Sequence, residues 1–120
     1  MNSYDYLIVG GGMTADAAAR GIRERDARGT IGIIGAESHP PYNRPPLTKG
    51  LWKGDAPESI WRKTDEARVD MESGARVTKI DPAAHRVTDD KDQTHQYRKL
   101  LLATGGTPRK LPGAADGVIY

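Results

Sequence analysis

The residues best suited to chemistry come early in the chain: Gly10-Gly11-Gly12-Met13-Thr14-Ala15, followed by the acid Glu37. The six-residue stretch fits the pattern G-x-G-x-x-G/A, with alanine in the last place. Each position has a mechanical reason. Gly10 permits a tight reversal, Gly12 has no side chain to keep a pyrophosphate off the backbone, and Ala15 is small enough to hold a following helix against a preceding strand. A helix opening at Met13 and Thr14 turns free N–H groups and the positive end of its dipole toward the same anion. Glu37 lies 22 residues beyond Ala15. That is close to the spacing of roughly 20 at which an acid after a second strand accepts hydrogen bonds from a ribose. Together these residues point to a bound dinucleotide. Spacing alone leaves FAD and NAD both open.

The elements needed to position them follow in order. Tyr6-Leu7-Ile8-Val9 is an unbroken β-favouring apolar run, as in a strand buried on both faces of a parallel sheet. Residues 14–28 are rich in Ala, Arg and Glu, and Ala15, Ala18, Ala19 and Ile22 recur at helical spacing. That narrow stripe of small residues suits close packing on a sheet. Gly29 stands where a helix commonly ends. Ile31, Ile33 and Ile34 form a second strand, stopped by Gly35. Strand, glycine turn, helix and strand make a βαβ unit, which is the context that gives a glycine motif its meaning.

Farther along, Pro40, Pro41, Pro45 and Pro46 bracket a stretch that reads as a rigid, ordered loop. A short helix is expected over residues 47–52, and another over residues 64–67, where Thr64 would cap and Asp65 and Glu66 suit the first turn. Three β-like segments follow, over residues 75–80, 85–88 and 96–103, joined by turn-like links. They read as a small antiparallel meander whose last segment rejoins the parallel sheet. The fold class is therefore α/β: a Rossmann-like dinucleotide-binding domain with a βαβ start, plus a small antiparallel β-meander.

Composition narrows the function. The 120 residues suffice for one domain with a modest core, and with no Phe that core must be built from Val, Ile, Leu and Ala. A net charge of +2 is too small an excess for a nucleic-acid surface. Absence of cysteine excludes disulfides and thiolate metal sites within these residues and agrees with a reducing compartment. The start lacks the features of a signal peptide, and no segment approaches membrane-spanning length, so a cytoplasmic protein with no membrane partner is expected. His39, His85 and His95 have no ligand spacing, so no metal site is expected. Trp52 and Trp61 suit packing of the 47–62 segment, and Asp55 and Glu58 suit capping.

Three stretches carry a family likeness: Tyr6-Leu-Ile-Val-Gly-Gly-Gly-Met-Thr-Ala15, Pro41-Tyr-Asn-Arg-Pro-Pro-Leu-Thr-Lys49 and Leu102-Ala-Thr-Gly-Gly-Thr-Pro-Arg109. Through them the chain resembles the N-terminal FAD segment of the ferredoxin-reductase-like flavoproteins, and among these the apoptosis-inducing-factor-like group. The likeness runs over essentially the whole chain, and its second and third stretches are more specific than the glycine turn. It implies FAD as the dinucleotide, with Gly10, Gly12, Met13, Thr14 and Ala15 at the pyrophosphate and Arg44 at the phosphates or their surroundings, where a guanidinium suits bidentate contact. It implies Lys49 as a catalytic residue beside the isoalloxazine ring, where its charge would stabilise the reduced form. Val77 matches the position that meets adenine through its main chain. Ala103, Thr104 and Gly105 match the turn that passes close to the cofactor as the chain leaves the domain.

The chain departs from the pattern at Ala36, where relatives usually carry an acid, and the ribose role passes to Glu37. Disulfide reductases of this fold carry a redox-active cysteine pair after the second strand; this chain has none there. Electrons would then pass directly from reduced flavin to an external acceptor. The resemblance implies an FAD-dependent NAD(P)H oxidoreductase serving a ferredoxin or rubredoxin, with NAD(P)H as substrate. The alternative is a redox signalling or assembly protein that works through partner binding. In this family the FAD domain is discontinuous, so residues 1–120 are expected to be its N-terminal segment, with the NAD(P)H domain outside this chain.

Overall fold

The computed structural model describes residues 2–109 together with Pro112, Gly113 and Gly117. β1 (Asn2–Val9) runs into the glycine turn, α1 (Met13–Arg25) follows, and β2 (Ile31–Gly35) returns parallel to β1 with Ile8 opposite Ile33. The proline-rich loop then carries four 3-10 turns, Pro45–Thr48, Leu51–Lys53, Pro57–Ile60 and Thr64–Ala67. β3 (Asp70–Ser73) lies parallel beside β2. β4 (Val77–Asp81), β5 (Arg86–Asp89) and β6 (Thr94–Leu102) form the meander. β6 is long enough to pair antiparallel with β5 at its start and parallel with β1 along its length. All the strands join one six-stranded mixed sheet in the order β3-β2-β1-β6-β5-β4.

Successive residues of the central strands serve opposite faces, as strand geometry requires. Ile8 and Ile33 pack with Ile31, Ala15, Ala19 and Ala67 on one face. Leu7 and Ile34 pack with Tyr4, Ala75, Val87 and Tyr97 on the other. Ala15 and Ala19 are fully buried, with Ala18 and Ile22 at the margin, so the small-residue stripe brings α1 onto the sheet as its spacing indicates.

Four details differ from the sequence reading. α1 ends at Arg25, well before Gly29. Asp26 stops it by taking an extended backbone and accepting hydrogen bonds at Oδ1 from the N–H groups of Arg28 (2.9 Å) and Gly29 (2.7 Å). An Asp side chain offering the backbone this alternative is a known competitor of the helix. Thr64 does not cap its turn: Lys63 holds that place, and the Thr64 hydroxyl donates to Asp16 instead. The helix expected over residues 47–52 is split into two 3-10 turns, the first opening on the proline pair Pro45 and Pro46. β3 was not expected at all, because Asp-Met-Glu-Ser offers one apolar residue and no alternation; as an edge strand it needs only β2 as partner.

Candidate functional site

β1 is the switch point of the sheet: the chain leaves it toward α1 and β2 on one side, while β6 lies on the other. Crevices at such points, beyond the carboxyl ends of the strands, are where open α/β sheets bind ligands. Here the strand ends are tied together by the Gly10 N–H donating to the Ile34 carbonyl (2.8 Å) and the Ala103 N–H donating to the Val9 carbonyl (2.7 Å). A cleft of about 480 Å³ opens above them.

The glycines of the turn do different work. Gly10 has φ +122°, and a Cβ there would meet the Ala103 carbonyl oxygen at 1.9 Å. Its bareness lets the turn close on the segment after β6. Gly12 has an extended backbone that any residue can adopt. A Cβ there would project into open space, with Arg44 Nη2 its nearest neighbour at 4.0 Å. Thus Gly10 serves packing, while Gly12 keeps a hollow empty in front of a guanidinium. α1 has no side-chain N-cap, and its first helical hydrogen bond runs from the Asp16 N–H to the Gly12 carbonyl (3.2 Å). The N–H groups of Met13, Thr14 and Ala15 precede that bond and have no helical acceptor. A bare hollow, unpaired N–H donors, a helix dipole and a cation together suit the pyrophosphate of a dinucleotide.

The rest of the sequence-derived site falls around this hollow. Glu37, just past β2, lines the cleft, as do Val77 at the start of β4 and Ala103, Thr104 and Gly105 after β6. Met13 and Thr14 line it from α1. Arg44 reaches in from the proline-rich loop; its Nη2 donates to Glu37 Oε1 at 2.8 Å, and its guanidinium lies over the Tyr42 ring, 5.5 Å from the centroid. Both partners of this ion pair are largely exposed. Such a pair contributes at most about 1 kcal/mol, so each side chain is free to exchange its partner for a ligand.

Two residues lie elsewhere. Ala15 is fully buried beneath the turn, where it sets the helix-to-strand distance and cannot touch a ligand with its side chain. Lys49 is exposed, just after the Pro45–Thr48 turn, and does not line the cleft. Arg76 does line it and was missed. It is the neighbour of Val77, and no motif marked it. Among the described residues no cluster of His, Asp and Glu is arranged to hold a metal, and no helix is long and apolar enough to cross a membrane.

The family model described as pyridine nucleotide-disulphide oxidoreductase matches residues 4–120. The anthranilate 1,2-dioxygenase system ferredoxin–NAD(+) reductase component of Burkholderia cepacia is 38% identical, over 99% of this chain and 31% of its own length. A crystal structure of a covalent putidaredoxin reductase–putidaredoxin complex superposes with a TM-score of 0.78 at 30% identity, over 92% of this chain and 27% of that one. NADH:rubredoxin oxidoreductase from Clostridium acetobutylicum gives a TM-score of 0.73 at 25% identity, over 92% of this chain and 30% of that one. The chain thus spans less than a third of the length of each of these relatives.

Proposed function

The chain belongs to the pyridine nucleotide-disulphide oxidoreductase family, and we propose that it is the first FAD-holding segment of an NAD(P)H-dependent reductase that passes electrons to a ferredoxin or rubredoxin. The single observation that carries this reading is the hollow at Gly12, faced by Arg44 and flanked by Glu37 at the switch point of the sheet. The domain reading is supported by the share of the relatives that the chain spans. Residues 1–120 would be the leading part of a discontinuous FAD domain, with the nicotinamide domain encoded elsewhere in the whole protein.

Each residue has a task in this reading. Gly12 and the N–H groups of Met13 and Thr14 receive the pyrophosphate, and Arg44 grips it from the loop. Glu37 accepts hydrogen bonds from the adenosine ribose once Arg44 has turned to the phosphates. Val77 offers its main chain to the adenine, and Arg76 adds a second positive charge at that end of the cleft. Ala103, Thr104 and Gly105 wall the cleft where the chain leaves β6. Lys49 does not line the cleft, and its role beside the ring system rests on the family likeness alone. Bound FAD would supply the step between two-electron hydride donors and one-electron carriers. The segment after β2 has no cysteine, which supports direct transfer to an external protein over a thiol relay. The names of the relatives, reductases of ferredoxin, putidaredoxin and rubredoxin, support a small redox protein as acceptor. A cytoplasmic location belongs to the same reading.

The test is to purify the whole protein, release its cofactor by denaturation and identify it by mass. FAD is expected, with flavin absorption that NADH or NADPH bleaches and a ferredoxin restores. Release of NAD would reassign the cleft. A colourless protein that takes up no added FAD would overturn the proposal. Slow turnover with partner affinity that changes on reduction would favour the signalling alternative.

A further inference from the structure

Asp16 is a charged side chain for which the cleft has no direct use. It sits in the first turn of α1, four residues past Gly12, and is fully buried. A buried carboxylate is costly unless its oxygens are well supplied with donors. Asp16 Oδ2 accepts hydrogen bonds from Arg62 Nε at 2.7 Å and Arg20 Nε at 3.0 Å, and Oδ1 accepts one from the Thr64 hydroxyl at 2.7 Å. Burial would push this carboxyl up, but the hydrogen bonds from Arg62, Thr64 and Arg20 outweigh it and hold it below the usual carboxylate range. It is therefore ionised near neutral pH.

Arg62 and Thr64 belong to the far end of the proline-rich loop, and from Arg62 the connections run on toward the cleft. Arg62 Nη1 donates to Asn43 Oδ1 at 2.7 Å. The Asn43 N–H donates to the Ile60 carbonyl (2.8 Å), the Arg62 N–H donates to the Pro41 carbonyl (3.3 Å), and Tyr42 pairs with Trp61 as an antiparallel bridge. Arg20 adds hydrogen bonds to the Arg62 and Lys63 carbonyls. The two limbs of the loop are thus zipped together and pinned to α1 at Asp16. Asn43 is the residue before Arg44, whose guanidinium faces the hollow at Gly12. Hydrogen bonds thus run from a carboxylate near one wall of the hollow, through Arg62, to Asn43, the chain neighbour of the cation that forms the other. Packing alone would need only an apolar side chain at this place, as at Ala15 and Ala19.

We propose that Asp16 is a positioning residue for Arg44: through Arg62 and Asn43 it holds the proline-rich loop at the distance from the glycine turn at which Arg44 meets the cofactor's phosphates. This rests on the reading of the cleft as an FAD site.

The experiment titrates FAD into the apo form of the complete protein, following quenching of flavin fluorescence, for the unmodified protein, Asp16→Asn, Asn43→Ala, Arg44→Gln and the two double variants with Arg44→Gln. Asp16→Asn and Asn43→Ala should each weaken FAD binding by about tenfold. Each should add nothing once Arg44 is already Gln, because both act through that guanidinium. A merely structural residue would lower affinity by the same factor in either background. Unchanged affinity in Asp16→Asn, or losses that multiply in the double variants, would overturn the proposal. Should Asp16→Asn fail to fold, Asn43→Ala decides by the same criteria, since it cuts the relay without touching the buried carboxylate. An unmodified apoprotein that binds no FAD would instead overturn the functional reading, and this inference with it.

Discussion

At the scale of single residues, two glycines of one motif separate stability from binding. Gly10 combines a positive φ with a Cβ position 1.9 Å from a backbone oxygen, which cannot be relieved by moving a side chain. Gly10→Ala should cost at least about 1–3 kcal/mol from the backbone conformation, with the clash added, and appear as a lowered Tm of the apoprotein. Gly12→Ala meets no such obstacle. Its methyl would enter the hollow in front of Arg44, so the Tm should hold while FAD affinity falls by about tenfold or more, a loss of roughly 1.4 kcal/mol. Paired melting curves and FAD titrations check both; equal effects of the two variants on Tm would show that the hollow is not open in solution. Glu37→Gln removes the charged acceptor proposed for the ribose, and hydrogen bonds to charged groups contribute about 1.5–3 kcal/mol. A loss of about 10- to 100-fold in FAD affinity is expected, and unchanged flavin retention would move that role to another group. Gly10, Gly12 and Glu37 were legible because their types and spacing answer to a ligand's shape, whereas Arg44 was legible only through the family resemblance. Arg76 was not, since its place in the cleft depends on the link after β3, where the Gly74 and Ala75 N–H groups donate to the Glu37 and Gly35 carbonyls. Nor was the role of Asp16, because an acid in the first turn of a helix ordinarily reads as a complement to the dipole.

At the scale of elements, the βαβ unit was legible because its periodicities were strong: an unbroken apolar strand, a helical stripe of alanines, and a second strand of isoleucines. What escaped was decided by single side chains or by partners distant in sequence. β3 exists because β2 offers it an edge, and α1 stops where Asp26 intervenes. That stop can be tested through its charge. The Asp26 carboxyl is lowered to about 2 by hydrogen bonds from the Gly29 N–H, the Tyr6 hydroxyl (2.7 Å) and the Arg28 N–H. A depressed carboxylate stabilises the fold above its unfolded pKa of about 3.9, and that contribution is lost as pH falls through the folded value near 2. Tyr6→Phe removes one of the donors. The Asp26 titration, followed by NMR of its side-chain carbon, should then move up from about 2 while staying below the ordinary value, because both N–H donors remain. An unmoved titration would show that the Tyr6 hydroxyl does not hold this carboxylate in solution, and would leave the strand-to-helix-end link without its hydrogen bond.

At the scale of the whole molecule, the sheet is finished at one place and open at another. β6 is covered by β5 only at its beginning, from Thr94 to Gln96, with one further bond from the Tyr97 N–H to the His85 carbonyl. Beyond Tyr97 its far edge has no strand partner among the described residues. Leu101 and Leu102 are 43% and 55% exposed in the same stretch, although their partners in β1, Ile8 and Val9, are buried. An apolar run beside an unpaired edge is a feature that folded proteins cover. The relatives, each more than three times the length of this chain by the share it spans, have the residues to do so. The longer protein proposed above should therefore bury Leu102. Substitution of an ordinary surface residue stays within about 0.5 kcal/mol, whereas truncating a buried leucine costs about 2–5 kcal/mol. Leu102→Ala in the complete protein should fall in the second range by urea denaturation, and the amide protons of residues 98–102 should exchange slowly. If Leu102→Ala leaves stability unchanged and those amides exchange freely, the edge faces water in the whole protein as well. The FAD domain would then have to be completed from some other side of the sheet.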